Sequence, residues 1–318
     1  VIDYLGNLYL ADITEDGETF LLIDQQTDTL FVTDSQGEII YKFSKKGDRL
    51  YFGLAPIRQP KDTSLVDFET ARLDIWHYND DQLQPQQLVQ LNFELRRSHL
   101  AVLHGDATAV TMLSDATLDR VTTTDEDDAD VAVGFYSKPY RKQNQWEQHN
   151  YNDLYLVNVK TGERKLIAKK IRSGNISPKG KFVAWFDWKA HQYVAYDVAT
   201  GKTAVLTKDI KVPLFDEDDD HPDDPPPHGV MGWHENDAAL YVYDKFDIWK
   251  VDPTGKEKPV CITNGVGRKK QLTFRYSELD REERFVKDGQ TLLLGIFDNK
   301  EKGYGLMTHQ LGNNFILN

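Results

Sequence analysis

Residues 153–162 read Asp153-Leu154-Tyr155-Leu156-Val157-Asn158-Val159-Lys160-Thr161-Gly162. An apolar, β-branched run stops at a short polar pair and a glycine. Glycine takes the positive φ that a tight turn needs, so the segment reads as a strand entering a hairpin. The same arrangement returns at Ser35-Gln36-Gly37, Ala199-Thr200-Gly201 and Pro253-Thr254-Gly255. Gly162 and Gly201 lie one period of about 40 residues apart, and Gly37 to Gly162 spans roughly three. Weaker turns at Asn79-Asp80-Asp81 and Asp115-Ala116-Thr117 fill that interval.

A second turn precedes the first by about 20 residues: Asp16-Gly17 before Gly37, Lys179-Gly180 before Gly201, Asn236-Asp237 before Gly255, and Asp288-Gly289 before Gly312. Two hairpins per unit make four short strands, the blade of a β-propeller. A strand before the second turn recurs at Asp74-Ile75-Trp76, Asp153-Leu154-Tyr155 and Asp247-Ile248-Trp249. The expected fold is therefore an all-β propeller of seven four-stranded blades, with eight also compatible with the length and a β-sandwich pair as the competing architecture. The expected units are 11–43, 44–96, 97–125, 126–172, 173–210, 229–265 and 285–313, with inserted loops near 211–229 and 265–284. Short helices are expected only at Leu91–Arg97 and Glu278–Arg284. Gly6-Asn7-Leu8-Tyr9-Leu10 looks like a blade's third strand, which would close the ring on Phe315-Ile316-Leu317 and remove a free sheet edge.

Composition narrows the function classes. The 318 residues carry 38 Lys and Arg against 51 Asp and Glu, a net charge of −13. A polyanion is repelled by such a surface, which argues against nucleic-acid partners. No apolar stretch reaches the ~20 residues of a membrane span. One cysteine, Cys261, excludes an internal disulfide or a multi-cysteine metal site; its alternating context reads as a small buried hydrophobe. The chain starts at Val1 without Met or a signal-like segment, which reads as a processed or excised piece.

Several clusters invite a chemical reading, and each has a simpler one. Residues 216–228 hold Asp216, Glu217, Asp218, Asp219, Asp220, Asp223 and Asp224, hard oxygen donors of the kind Ca²⁺ takes, but the spacing is not that of an EF-hand. A proline-stiffened solvated loop between blades is the expectation. His221, His228 and His234 with Glu235 lack the spacing of a zinc site and read as loop or packing histidines. Gly265-Val266-Gly267 before Arg268-Lys269-Lys270 could cradle a phosphate only if a helix followed, and a solvated basic loop is expected instead. Trp76, Trp146, Trp185, Trp188, Trp233 and Trp249 fall mostly in strand-like runs and read as packing. No serine has the flanking glycines of a G-x-S-x-G nucleophile elbow. No catalytic, cofactor-binding or metal residue is assigned.

Four stretches carry a resemblance. They are Leu50-Tyr51-Phe52-Gly53 through Asp62 and Asp67-Phe68-Glu69; Leu73 through Tyr78 with Leu83-Gln84-Pro85-Gln86-Gln87; Phe215-Asp216-Glu217 through His228-Gly229-Val230-Met231-Gly232-Trp233; and Tyr243 through Gly255. The chain resembles the β-propeller domain of prolyl oligopeptidase-family serine peptidases, of the Bacteroidetes dipeptidyl-aminopeptidase and acylaminoacyl-peptidase kind. That resemblance implies a propeller covering an α/β-hydrolase domain, which would be its partner, and an oligopeptide substrate whose access the propeller limits. It implies a periplasmic or secreted location. The hydrolase domain that supplies the Ser–Asp–His triad is absent from this sequence. Relatives use propeller glutamates to hold a substrate amino terminus, but Glu282-Glu283, between Arg281 and Arg284, reads better as a surface salt-bridge segment. The leading expectation is a non-catalytic gating domain. A stand-alone binding propeller and a propeller glycan hydrolase or lyase are the competing functions.

Overall fold

In a computed structural model the structure describes residues 8–10, 20–23, 29–31, 41–56, 73–95, 97–105, 110–118, 120–147, 149–280 and 283–317. The turns expected at Asp16-Gly17 and Ser35-Gln36-Gly37, residues Gly6-Asn7, the stretch 57–72 with Asp62 and Asp67-Phe68-Glu69, and Arg281-Glu282 lie outside the described residues. The fold is all-β and of propeller class, a succession of antiparallel meanders. The chain divides into two compact units: Val1–Val121, Gly134–Asn150 and Asn158–Glu163 in the first, and Thr122–Val133, Tyr151–Val157 and Arg164–Asn318 in the second.

The second unit shows most directly why the repeat exists. Asn175–Ile176, Phe182–Asp187, Gln192–Asp197 and Lys202–Val205 form one four-stranded sheet in chain order. Val230–Trp233, Leu240–Tyr243, Ile248–Val251 and Val260–Cys261 form the next. Leu272–Tyr276, Thr291–Asp298 and Tyr304–Gln310 form a three-stranded third. Successive sheets share cores. Phe182, Ala184 and Phe186, alternate residues of one strand, pack with Leu240 and Val242 of the next sheet. The other face of that same sheet, Tyr241 and Tyr243, packs with Phe274, Leu292 and Leu294. The strand Leu240–Tyr243 is therefore buried at every position, which explains why its sequence shows no polar–apolar alternation. A sheet buried on both faces by its chain neighbours is a blade. A two-sheet sandwich would leave each outer face wet.

Arg120–Thr122, Val131–Tyr136, Asn152–Asn158 and Arg164–Ile171 form a further meander in chain order. In the first unit Thr29–Phe31 and Tyr41–Phe43 both pair with Arg49–Pro56, which pairs with His99–His104 and through it with Val110–Met112. Leu8–Leu10 pairs with Phe20–Ile23.

Several expectations are corrected here. Residues 49–56 and 99–104 share one ladder, so the boundary expected at 96/97 cuts through a sheet. The boundary expected at 125/126 falls after a strand that already belongs to the following sheet. Segment 265–284 is not simply a loop; it holds a helix at Val266–Lys270 and the strand Leu272–Tyr276. The helix near residue 91 runs from Gln84 to Leu95, while the described residues of 278–284 are not helical. Asp74-Ile75-Trp76 is not a strand, and Ile75 and Trp76 are exposed. Residues 314–317 are not a strand, contrary to the expectation for Phe315-Ile316-Leu317; Phe315 packs edge-on against Phe274.

Two turn chemistries repeat with the sheets. At the first, Gly47, Asp127, Gly180 and Asp237 donate their N–H to the carbonyls of Ser44, Thr124, Ser177 and His234, each at 2.9 Å. All four acceptors stand three residues back, and all four donors have positive φ. At the second, the strand's last Asn or Asp accepts from the turn's own amides. Asn158 Oδ1 takes Lys160 and Thr161 N–H, Asp197 takes Ala199 and Thr200, and Asp298 takes Lys300 and Glu301. Such Asx turns preorganise the hairpin before the strands meet. The fifth position is glycine in the first two, Gly162 and Gly201, but Lys302 at φ 59° in the third.

Candidate functional site

The acidic segment 211–229 is a strap, not a free loop. Phe215 and Pro227 form a bridge that closes it. Lys245 Nζ meets Asp218 at 2.7 Å, Arg172 reaches Asp223 at 3.2 Å, and Arg268 stands 3.7 Å from Glu217. Arg172 itself lies 3.5 Å over the Trp188 ring, a cation–π contact that fixes the guanidinium before it meets the acid. The Lys245 ammonium, by hydrogen bond and by charge, holds the Asp218 carboxyl below its ordinary range. The solvated loop expected from sequence is thus corrected, because three cations from neighbouring segments pin it.

Among the described residues Asp219, Asp220 and His221 are the one group of three or more that bring ligand atoms within 4.8 Å of one another. Asp219 is already bonded to the His221 N–H at 3.0 Å and to its ring nitrogen at 2.5 Å, well short of the six to eight oxygens Ca²⁺ takes. His228 and His234 do not join that group. His234 is buried, with Nδ1 accepting from Asn236 N–H and Nε2 3.3 Å from Asp288. His228 is half-buried. Burial, and then the charge of Arg275, lower its pKa against the pull of Asp216, Asp244 and Glu217.

A helix begins within Gly265-Val266-Gly267, at Val266, contrary to the expectation, and the Gly267 and Arg268 amides at its start are already taken. Asp247, 1% exposed, accepts from Gly267 N–H and Arg268 N–H at 2.9 Å and from Thr263 Oγ1 at 2.6 Å. A Cβ at Gly267 would meet Leu272 O at 2.7 Å and Phe246 O at 2.8 Å, so this glycine serves close backbone approach. The protein's own carboxylate fills the cradle a phosphate would need. Cys261 Sγ accepts from Gly265 N–H at 3.2 Å, and burial raises its thiol pKa. Trp185 and Trp233 are buried, Trp188 and Trp249 pack against the core that holds Trp233, and Trp76 and Trp146 are exposed. Glu283 is exposed beside Lys287.

Sequence reasoning missed a set of buried polar groups that join segments. Asp237, 2% exposed, accepts from Ser177 Oγ at 2.7 Å, Lys179 N–H at 2.9 Å and Lys181 N–H at 3.1 Å, so the turn of one sheet is tied to the turn of the sheet before it. Ser114, Thr207 and Thr263 place a hydroxyl on the N–H of Leu100, Tyr193 and Ile248. The signal was present as a Ser or Thr 15 residues after the first residue of a strand.

One cleft of about 300 Å³ opens in the second unit. Thr122, Asn175–Ile176 and Val230 with Gly232, all from first strands of three successive sheets, form its walls. Trp233 and Phe285 give it an apolar side. Arg284 and Asp125 give it a charged side, and the Arg284 guanidinium donates to the Asp125 carbonyl at 2.5 Å. Gly232 follows an irregularity in the strand register, a feature common where a strand meets a ligand.

No protein-family model matches the chain, and no curated protein matches it. Solved structures similar to it include Porphyromonas gingivalis dipeptidyl peptidase 4 (10% identity, TM-score 0.43, covering 94% of this chain and 42% of that one). An oligogalacturonate lyase from Vibrio parahaemolyticus gives 9% identity and TM-score 0.41, covering 98% of this chain and 73% of that one. TolB from Acinetobacter baumannii gives 11% and 0.33, covering 95% of this chain and 59% of that one. The chain therefore spans less than two thirds of the TolB and peptidase chains.

Proposed function

We propose that this chain is the substrate-gating propeller of a larger secreted or periplasmic serine peptidase that cleaves oligopeptides. The observation that carries the reading is the cleft: sheets buried on both faces leave strand edges as the surface available to a ligand, and three first strands converge on one opening. An extended peptide is the ligand whose backbone matches strand edges. The acidic–proline–glycine–Trp stretch from Phe215 to Trp233, one of the four that carry the family resemblance, ends in this cleft at Val230, Gly232 and Trp233. In this reading the nucleophile belongs to a hydrolase domain on other polypeptide, and the propeller selects by size and contact.

Two measurements test the reading. Purified chain treated with a fluorophosphonate probe should take no label, and the native reading frame should encode a G-x-S-x-G segment followed by Asp and His. Stoichiometric labelling of a serine in residues 1–318 would overturn the gating role, as would a native protein lacking any hydrolase domain.

A further inference from the structure

The cleft carries a positive charge that the fold does not use in an ion pair. Arg284 is exposed, and among the described residues its hydrogen bond goes to a backbone carbonyl. No carboxylate lies within ion-pair distance of it among the described residues. A guanidinium has five N–H donors in a planar fork that matches a carboxylate, so most of its donors remain available. Asp125 is the one acid among the described residues of the lining, and Arg284 touches its backbone carbonyl.

Gly232 adds a second, independent observation. Its φ is not in the left-handed region, and a Cβ built there would meet only Val286 Cγ2, at 3.7 Å, an ordinary contact. Neither backbone conformation nor packing requires a glycine at this position, in contrast to Gly267. What its missing side chain provides is room beside a strand edge. The strand Val230–Trp233 pairs on one side with Leu240–Tyr243, and its other side is bridged at the His234 end by Val286. Among the described residues no strand covers that second side at Val230–Gly232.

We infer that the cleft binds a carboxylate-bearing peptide segment, with Arg284 anchoring the carboxylate and the edge at Val230–Gly232 receiving the extended backbone. The inference rests on the gating reading and adds the chemistry of the ligand. A carboxylate can come from a peptide's C-terminus or from an acidic side chain, and the test separates the two.

The experiment is isothermal titration of the purified chain with three N-acetylated pentapeptides: one with a free C-terminus and no acidic residue, its C-terminal amide, and an amide carrying one internal glutamate. The free acid should bind about tenfold more tightly than its amide, as expected for a charge-assisted bidentate contact. Glutamate peptide binding as tightly as the free acid identifies side-chain carboxylates as ligands too, and supports the same anchor. Arg284→Gln should erase the difference between acid and amide without moving the melting temperature. Gly232→Ala should weaken acid and amide by the same factor, again with unchanged melting. Equal binding of acid and amide to the unmodified chain, no binding of any peptide at millimolar concentration, or a preference for acid that survives Arg284→Gln would each overturn the inference. Those results leave the labelling test of the gating role untouched, and serine labelling would end that role while leaving a measured carboxylate preference standing.

Discussion

Replacing Asp237 should destabilise the protein more than any single exposed substitution, and the size of the loss follows from its contacts. Its carboxylate receives Ser177 Oγ, Lys179 N–H and Lys181 N–H at 2.7, 2.9 and 3.1 Å while 2% exposed. Hydrogen bonds to a charged acceptor each contribute about 1.5–3 kcal/mol, and a buried donor left alone costs a similar amount. The three bonds overlap, and the two amides belong to part-buried turn residues that water can reach. Asp237→Ala is therefore expected to cost about 3–5 kcal/mol. Asp237→Asn keeps one oxygen and tolerates the left-handed backbone at φ 63°, yet turns an NH₂ toward donors; about 2–3 kcal/mol is expected. Asp237→Gly removes the carboxylate but relieves the backbone, so it should be milder than Ala by about 1 kcal/mol. Urea unfolding followed by tryptophan fluorescence reads all three, because Trp185 and Trp233 lie in the two sheets that Asp237 joins. An Asn variant within about 0.5 kcal/mol of the unmodified protein would refute the argument that this acid holds the sheets together.

Further outcomes follow from other positions. Lys302→Gly, at the turn position where the other repeats carry glycine, should stabilise by about 0.5–1 kcal/mol by relieving positive φ, visible as a raised urea midpoint; a lowered midpoint would show that the lysine's contact with the Phe297 ring outweighs the strain. His228 and His309 have pKa values lowered in the fold, His228 by burial and then Arg275, His309 by burial. Their contribution to stability is full above the unfolded value near 6.5 and is lost as pH falls below it toward the folded values. Urea midpoints measured from pH 7.5 to 5 should fall, and His228→Gln should flatten the decline; a slope unchanged by that variant would contradict the assignment. Cys261, its thiol pKa raised by burial, should react slowly with a disulfide reagent at pH 7.5 and rapidly in urea; equal rates would show the site to be open.

The repeat was legible because turns are local. Gly162, Gly201, Gly255 and Gly289 adopt positive φ for reasons contained in a few consecutive residues, and Asn158 or Asp197 bonds amides two and three positions away. Strand identity was less legible. Asp74-Ile75-Trp76 and Asp247-Ile248-Trp249 share a pattern, but Ile248 is fully buried among Phe274 and Leu294 while Ile75 is exposed. The three letters lack the neighbour that makes one of them a strand. Helix Val266–Lys270 was missed because its start is organised by Asp247, about 20 residues earlier in the chain.

Sequence by itself determined the period, the hairpin chemistry and the all-β class, since all three depend on interactions within about 40 residues. Only the tertiary structure decided which acids are structural and which cations are available. Asp237 and Asp247 are spent on amides from other segments, and Lys245 and Arg172 are spent on the acidic strap. Arg284 reaches the cleft without an acidic partner among the described residues. Charge and hydrogen bonding act through space, so a side chain's partners depend on how distant strands are brought together.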